Sequence, residues 1–124
     1  MGSLESGGIG EITYCDLAVV CAGYRFFFNP IRSTSLGLAV IEARMMGMPI
    51  VALATTERRT VIENGKTGIS ANDPACLMAG MHSLLNDHGL AQMLGARGRR
   101  TANERFALSR FIADWEQVLK NITA

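Results

Sequence analysis

The residues Ser33-Thr34-Ser35 lead into Leu36 to Met46, a stretch that is nearly all apolar and rich in Leu, Ala and Met. A helix that starts behind small residues presents backbone N–H groups without intrahelical partners and the positive end of its dipole, a setting that suits an anion, most often a phosphate. The same hydroxyls also serve as ordinary helix caps, and the local pattern is compatible with both uses. Glu42 adds a second group. On a helix it lies about 200° around from Arg44, so one solvated face cannot hold both, and it shares its stripe with Leu38, Met45 and Met46. A carboxylate among apolar residues must reach a partner or face a cleft, because burying it unpaired costs several kcal/mol. It is either an internal salt-bridge or hydrogen-bond member, or a hydroxyl-binding group in a ligand crevice.

Those residues need elements to hold them. The runs Leu17 to Val20 and Phe26 to Phe28, bounded by Gly23 and Asn29-Pro30, suit buried strands. The Leu36 to Met46 helix is closed by Gly47, with Pro49 beyond it. Pro49 to Ala54 is continuously apolar and partly β-branched, as a parallel strand covered on both faces should be. Strand, loop, helix and strand make a βαβ unit. Asn64-Gly65 signals a tight turn before a short strand near Gly68 to Ser70. Asp73-Pro74 reads as N-cap and first helical residue ahead of Leu77, Met81, Leu84 and Leu85, and Asp87 caps a further helix carrying Leu90, Met93 and Leu94. The last segment sets Phe111, Ile112, Trp115, Val118, Leu119 and Ile122 on one stripe of an otherwise polar helix.

With 124 residues, 48% of them hydrophobic, and a net charge of +1, the chain has the makeup of one globular domain with no bulk field for nucleic acid or an anionic membrane. Residues 1–10, rich in Gly and Ser, read as a flexible leader and lack the basic and apolar regions of a signal peptide, which leaves 11–124 as the domain. The stretch Leu17 to Ala22 is far shorter than the ~20 residues that span a bilayer, so no transmembrane segment is expected. Cys15, Cys21 and Cys76 are odd in number and unpaired in spacing, which fits a reducing cytoplasm and buried small-hydrophobe roles. His82 and His88 read as structural or solvated, and Arg97, Arg99, Arg100 and Arg105 as a solvated helix face; no metal-ligand spacing is present.

The segment from Pro30 to Ala52, with Gly37-Leu38, Glu42-Ala43 and Gly47-Met48-Pro49 at their positions, resembles the nucleotide-sugar loop of the group 1 (family 4) retaining glycosyltransferases, P-x-x-x-E-G-F-G-L-x-x-x-E-A-M-A-x-G-x-P-V-V-A. Ile62 to Gly68 is similar to that family's I-x-D-G-x-T-G, and the residues from Asp73 onward, including Leu84 to Asp87, Leu94-Gly95, Arg97 and Phe106, resemble its C-terminal helices. The resemblance runs from about Phe26 to the end. It implies an α/β fold: a partial Rossmann-like domain of the glycosyltransferase B type, a short parallel sheet with C-terminal helices.

The resemblance further implies a donor site for a nucleoside-diphosphate sugar, a substrate rather than a cofactor, whose diphosphate meets Ser35, Leu36, Gly37 and Leu38 and whose ribose meets Glu42. Thr34 stands where the family carries the first Glu of its E-x7-E pair, the residue that meets the donor sugar, and a hydroxyl supplies neither its charge nor its paired acceptors. Arg32 is the neighbouring candidate for a changed role there. The residues present correspond to the later part of the second of two domains in that family, so transfer to an acceptor is not expected of this chain alone. The rival reading is a non-catalytic binding or assembly module on the same fold. Self-association into a homo-oligomer is expected through a strand edge or the Phe111, Trp115, Val118 and Ile122 stripe.

Overall fold

The computed structural model describes residues 3–33, 36–55 and 61–124. Three short strands, β1 (Phe27–Asn29), β2 (Ile50–Leu53) and β3 (Gly68–Ala71), form a parallel sheet in the order β1-β2-β3, with Phe27 beside Ile50 and Ile50 beside Gly68. Between and around them run helices α1 (Leu17–Cys21), α2 (Leu38–Met45), α3 (Pro74–Asn86), α4 (His88–Phe106) and α5 (Leu108–Thr123). A 3₁₀ turn, Leu4–Ser6, lies within the segment expected to be a leader.

Strand β2 is buried along its whole length, and its alternation builds two cores. Ile50 and Ala52 pack with Cys21, Val40, Ala43, Met48 and Ile62 on the α2 side. Val51 and Leu53 pack with Leu77, Leu84, Ala91 and Leu94 on the α3–α4 side. The sheet is therefore a middle layer between helices, the α/β arrangement expected of the βαβ pattern.

Local rules set most of the boundaries. Asp73 accepts a hydrogen bond from the Ala75 amide at 2.9 Å with Pro74 behind it, and Asp87 accepts one from the Leu90 amide at 2.9 Å. At the end of α2, Gly47 adopts φ +79°, its amide bonds to the Arg44 carbonyl and the Met48 amide to the Ala43 carbonyl, the paired closure that turns the chain into β2.

Three expectations change. Leu17 to Val20 is not a strand but most of α1, because a short apolar run cannot by itself distinguish a strand from a helical turn. Here Asp16 precedes the run, and only Cys21 at its end is buried. The α2 helix starts at Leu38 rather than Leu36, with Gly37 as its N-cap. Among the three cysteines, Cys15 and Cys76 are exposed and only Cys21 takes the buried role expected of all three.

Helix α4 packs along α2 through small residues. Ala91, Gly95, Gly98 and Ala102 lie on its buried face with Leu94. A Cβ on Gly95 would stand 2.0 Å from the Gly47 carbonyl oxygen, so the two backbones approach as closely as glycine allows. The arginines read as a solvated face are exposed at Arg97, Arg99, Arg100 and Arg105.

Candidate functional site

The candidate site forms where β1 hands the chain to α2. Strand β1 ends at Asn29, which is buried and whose Oδ1 accepts a hydrogen bond from the Ile31 amide at 3.3 Å. That bond fixes the first bend of the loop after the strand. Pro30, Ile31, Arg32 and Ser33 are exposed, while Thr34 and Ser35 lie outside the described residues. Leu36 packs its side chain against the α2-side core and anchors the loop from below, leaving only its backbone toward a ligand.

Gly37 is extended (φ −73°, ψ 146°) and brings no side chain, so among the described residues no side-chain acceptor caps the start of α2. The first-turn amides of Leu38 and Ala39 point outward with the positive dipole end behind them, at the carboxyl end of the sheet where α/β folds bind ligands. One turn along the helix, about 6 Å, and on the same face as the exposed Leu38, comes Glu42.

Glu42 is half-buried, and the Tyr14 hydroxyl donates a hydrogen bond to its Oε1 at 3.4 Å. A hollow of about 410 Å³ opens beside it, lined by Leu17, Cys21, Tyr24, Phe27, Met46 and Met48 among others. The long contact and the 78% exposure of Tyr14 make this partner easy to displace. Tyr14 was beyond local sequence reasoning, since it lies 28 residues from its partner.

The fully buried charge of α2 is Arg44, not Glu42. Arg44 is 1% exposed and donates to the carbonyl of Gly98 (3.4 Å from Nε, 3.3 Å from Nη2), to the Val61 carbonyl and to the Thr101 hydroxyl. Burial, and then the nearby Arg105 guanidinium, push its pKa below the ordinary arginine value. The helical wheel correctly separated the two charges but not which of them goes inside. An arginine can thread its long stem through the seam and spend its fan of donors on backbone carbonyls, which a carboxylate cannot.

At the end of β2 stands Thr55, whose hydroxyl is buried and without a hydrogen-bond partner among the described residues. It sits at the same carboxyl edge of the sheet as Gly37, a donor and acceptor that sequence reading missed because a lone Thr after a strand carries no signal. A larger hollow, about 530 Å³, lies at the other end, lined by Tyr24, Arg25, Gly47, Pro49 and His88 among others. It faces the amino ends of β1 and β2, away from the open α2 terminus. His82 and His88 are exposed. The arrangement can hold an anion on backbone amides and a hydroxylated group on Glu42.

Comparison with known proteins bears on this geometry. The family described as glycosyl transferases group 1 matches residues 9–87, starting upstream of the Phe26 at which the resemblance begins and ending at Asp87. A D-inositol 3-phosphate glycosyltransferase of Xylanimonas cellulosilytica is 35% identical over 79 residues, covering 62% of this chain and 19% of that protein. The UDP-N-acetylglucosamine–peptide N-acetylglucosaminyltransferase GtfA subunit of Streptococcus gordonii is 27% identical over 118 residues, covering 88% of this chain and 23% of its own. The chain thus spans about a fifth to a quarter of the curated relatives it matches. Sucrose-phosphate synthase from Thermosynechococcus elongatus superposes with a TM-score of 0.78 at 24% identity, over 93% of this chain and 29% of that one. No helix among the described residues is long and apolar enough to cross a membrane. With the family matched across most of the chain and the parallel sheet, flanking helices and open helix terminus all in place, this chain belongs to the group 1 glycosyltransferases and has an α/β fold of the glycosyltransferase B type.

Proposed function

We propose that the chain binds the diphosphate and ribose of a nucleoside-diphosphate sugar and serves as the donor side of a retaining glycosyl transfer. The observation that carries this reading is the pairing of an uncapped α2 terminus at Gly37 with Glu42 one turn along the same face. The backbone amides at Gly37, Leu38 and Ala39 take the diphosphate. Glu42 exchanges the Tyr14 hydroxyl for the ribose hydroxyls, which offer a carboxylate shorter and better-aligned hydrogen bonds. As the glycosidic bond to the donor phosphate breaks, negative charge grows on the leaving diphosphate, and fixed amide dipoles already aimed at that point stabilise it without reorganising. Arg32, exposed beside the loop, and the Thr55 hydroxyl are the further groups available at this edge. A reducing cytoplasm suits the three unpaired thiols, two of them exposed.

Binding without turnover is expected of the 124-residue chain alone. Holding an acceptor against the donor is worth about 7–11 kcal/mol of barrier, and a donor surface by itself supplies none of it. Ligand-observed NMR with UDP, GDP and ADP tests the reading. One of these should bind to the parent chain and lose about 5- to 150-fold in affinity in Glu42→Ala, the equivalent of roughly 1–3 kcal/mol for a charge-assisted hydrogen bond. Equal binding by parent and variant removes Glu42 from the site, and no binding of any nucleoside diphosphate favours the non-catalytic module.

A further inference from the structure

Tyr14 is largely exposed, and its hydroxyl reaches Glu42 Oε1 at 3.4 Å. The same side chain borders a hollow of about 380 Å³ that Glu11, Ile12, Thr13 and Leu17 also line, a size within the range of small-molecule clefts. Tyr14 thus joins the carboxylate of α2 to a second cavity. Of the polar side chains there, Thr13 is already committed: its hydroxyl donates to Asp16 Oδ2 at 2.6 Å and accepts from the Asp16 amide at 3.3 Å. Glu11 is exposed and has neither a hydrogen bond nor an ion pair among the described residues.

Resting on the nucleoside-diphosphate reading above, we propose that this hollow receives the base, that the Tyr14 ring is its stacking face, and that Glu11 selects guanine. In a nucleotide the base hangs from the sugar carbon next to the one bearing the 2′-hydroxyl. Once the ribose hydroxyls sit on Glu42, the base lies within one sugar ring of that carboxylate, which is where the Tyr14 side chain stands. An exposed aromatic ring offers a flat apolar face that any base can cover. The other hollow beside Glu42 suits a base poorly. It is walled by Leu17, Cys21, Phe27, Met46 and Met48, and a base placed there would leave its N–H and C=O groups unpaired.

The choice of guanine follows from the free carboxylate. Guanine presents N1–H and the exocyclic N2–H side by side, so one carboxylate accepts two parallel, charge-assisted hydrogen bonds. Adenine sets one exocyclic donor beside a ring nitrogen that is itself an acceptor, and uracil flanks its single N3–H with two carbonyl oxygens, which repel a carboxylate.

The test titrates the full chain with GDP, IDP, UDP and ADP by ligand-observed NMR; IDP differs from GDP only in lacking the exocyclic amino group. GDP should bind tightest, by about tenfold or more over UDP and ADP, with IDP between. Glu11→Gln should cost GDP about tenfold and leave UDP unchanged. Tyr14→Leu should weaken GDP and UDP alike by about 5- to 150-fold, whereas Tyr14→Phe, which keeps the ring and gives up only the contact to Glu42, should bind as the parent does. Equal binding of GDP and IDP, or a Glu11→Gln variant that keeps the GDP preference, overturns the role of Glu11. Parent-like binding by Tyr14→Leu, or a loss in Tyr14→Phe as large as in Tyr14→Leu, overturns the stacking face. If nucleotides bind with full sensitivity to Glu42→Ala but none to Tyr14 or Glu11, the base subsite falls and the donor reading stands; if no nucleoside diphosphate binds, both fall.

Discussion

Helices α4 and α5 follow one another in the chain and invert the usual relation between apolar content and burial. Helix α4 is polar along much of its length and carries Arg97, Arg99, Arg100 and Arg105, yet Ala91, Leu94, Gly95, Gly98 and Ala102 are all buried. Helix α5 carries seven large apolar residues and buries none. What decides is the complement opposite each face. Small residues let α4 lie on the backbone of α2 and the β2 entry, where dispersion contacts and the Arg44 hydrogen bonds accumulate, while nothing in the described chain faces the α5 stripe. A face with large residues and no neighbour among the described residues stays exposed; a face with small residues and a close neighbour is core.

The sharpest way to break the α4 seam is to fill it. Gly95→Val should destabilise the chain by about 3 kcal/mol or more, because even its Cβ would stand 2.0 Å from the Gly47 carbonyl oxygen and the atoms in the way are backbone rather than a yielding side chain. Urea unfolding followed by circular dichroism would measure it. Retention of parent stability would mean that α4 does not sit where the seam places it.

Arg44→Ala should come next, at about 2–5 kcal/mol, since it removes the guanidinium hydrogen bonds to the Gly98 and Val61 carbonyls, of which Gly98 keeps the Thr101 hydroxyl as a donor, and opens a cavity between α2 and α4. Arg44→Met sharpens the point: it restores much of the packing volume and removes a desolvated charge, so it should recover part of the loss in the same unfolding assay. If both substitutions cost the same, the guanidinium hydrogen bonds outweigh the packing. The helix caps are smaller. Asp73→Ala and Asp87→Ala should each cost about 1 kcal/mol in thermal or urea unfolding, the usual worth of one satisfied N-terminal amide. A much larger loss at Asp87 would mean that the α3–α4 junction is fixed chiefly by that bond.

What could be read from the sequence tracks this division between local and long-range causes. The Asp73-Pro74 and Asp87 starts, the Gly47 stop and the buried β2 run depend on neighbours a few residues away, and each stands where local rules put it. The α4 seam was not foreseen. The sequence reading took only its large apolar residues and arginines into account, although the spacing of Ala91, Gly95, Gly98 and Ala102 draws a single face. Leu17 to Val20 failed as a strand because four apolar residues fit a helical turn as well as a strand, and a run that short carries nothing to separate the two. In the candidate site, Gly37 and Leu38 stand at the start of α2 with Glu42 one turn on, and the Leu36 side chain packs against the core. Tyr14 beside Glu42 and the orphan hydroxyl of Thr55 arise from chain folding alone, and no spacing could have announced them.

The smallest stability effect should come from the most amphipathic of the helices. Leu119→Gln removes a large hydrophobic side chain, and in α4 the equivalent change at Leu94 would tear out part of the core. On α5 the leucine is 53% exposed and packs against no buried cluster, and glutamine forms helix as readily as leucine. Measured where the chain is dilute and monomeric, its unfolding free energy should move by no more than about 0.5 kcal/mol. A concentration-independent loss of several kcal/mol would instead show that the α5 stripe is packed against its own domain, and the contrast between the two helices would collapse.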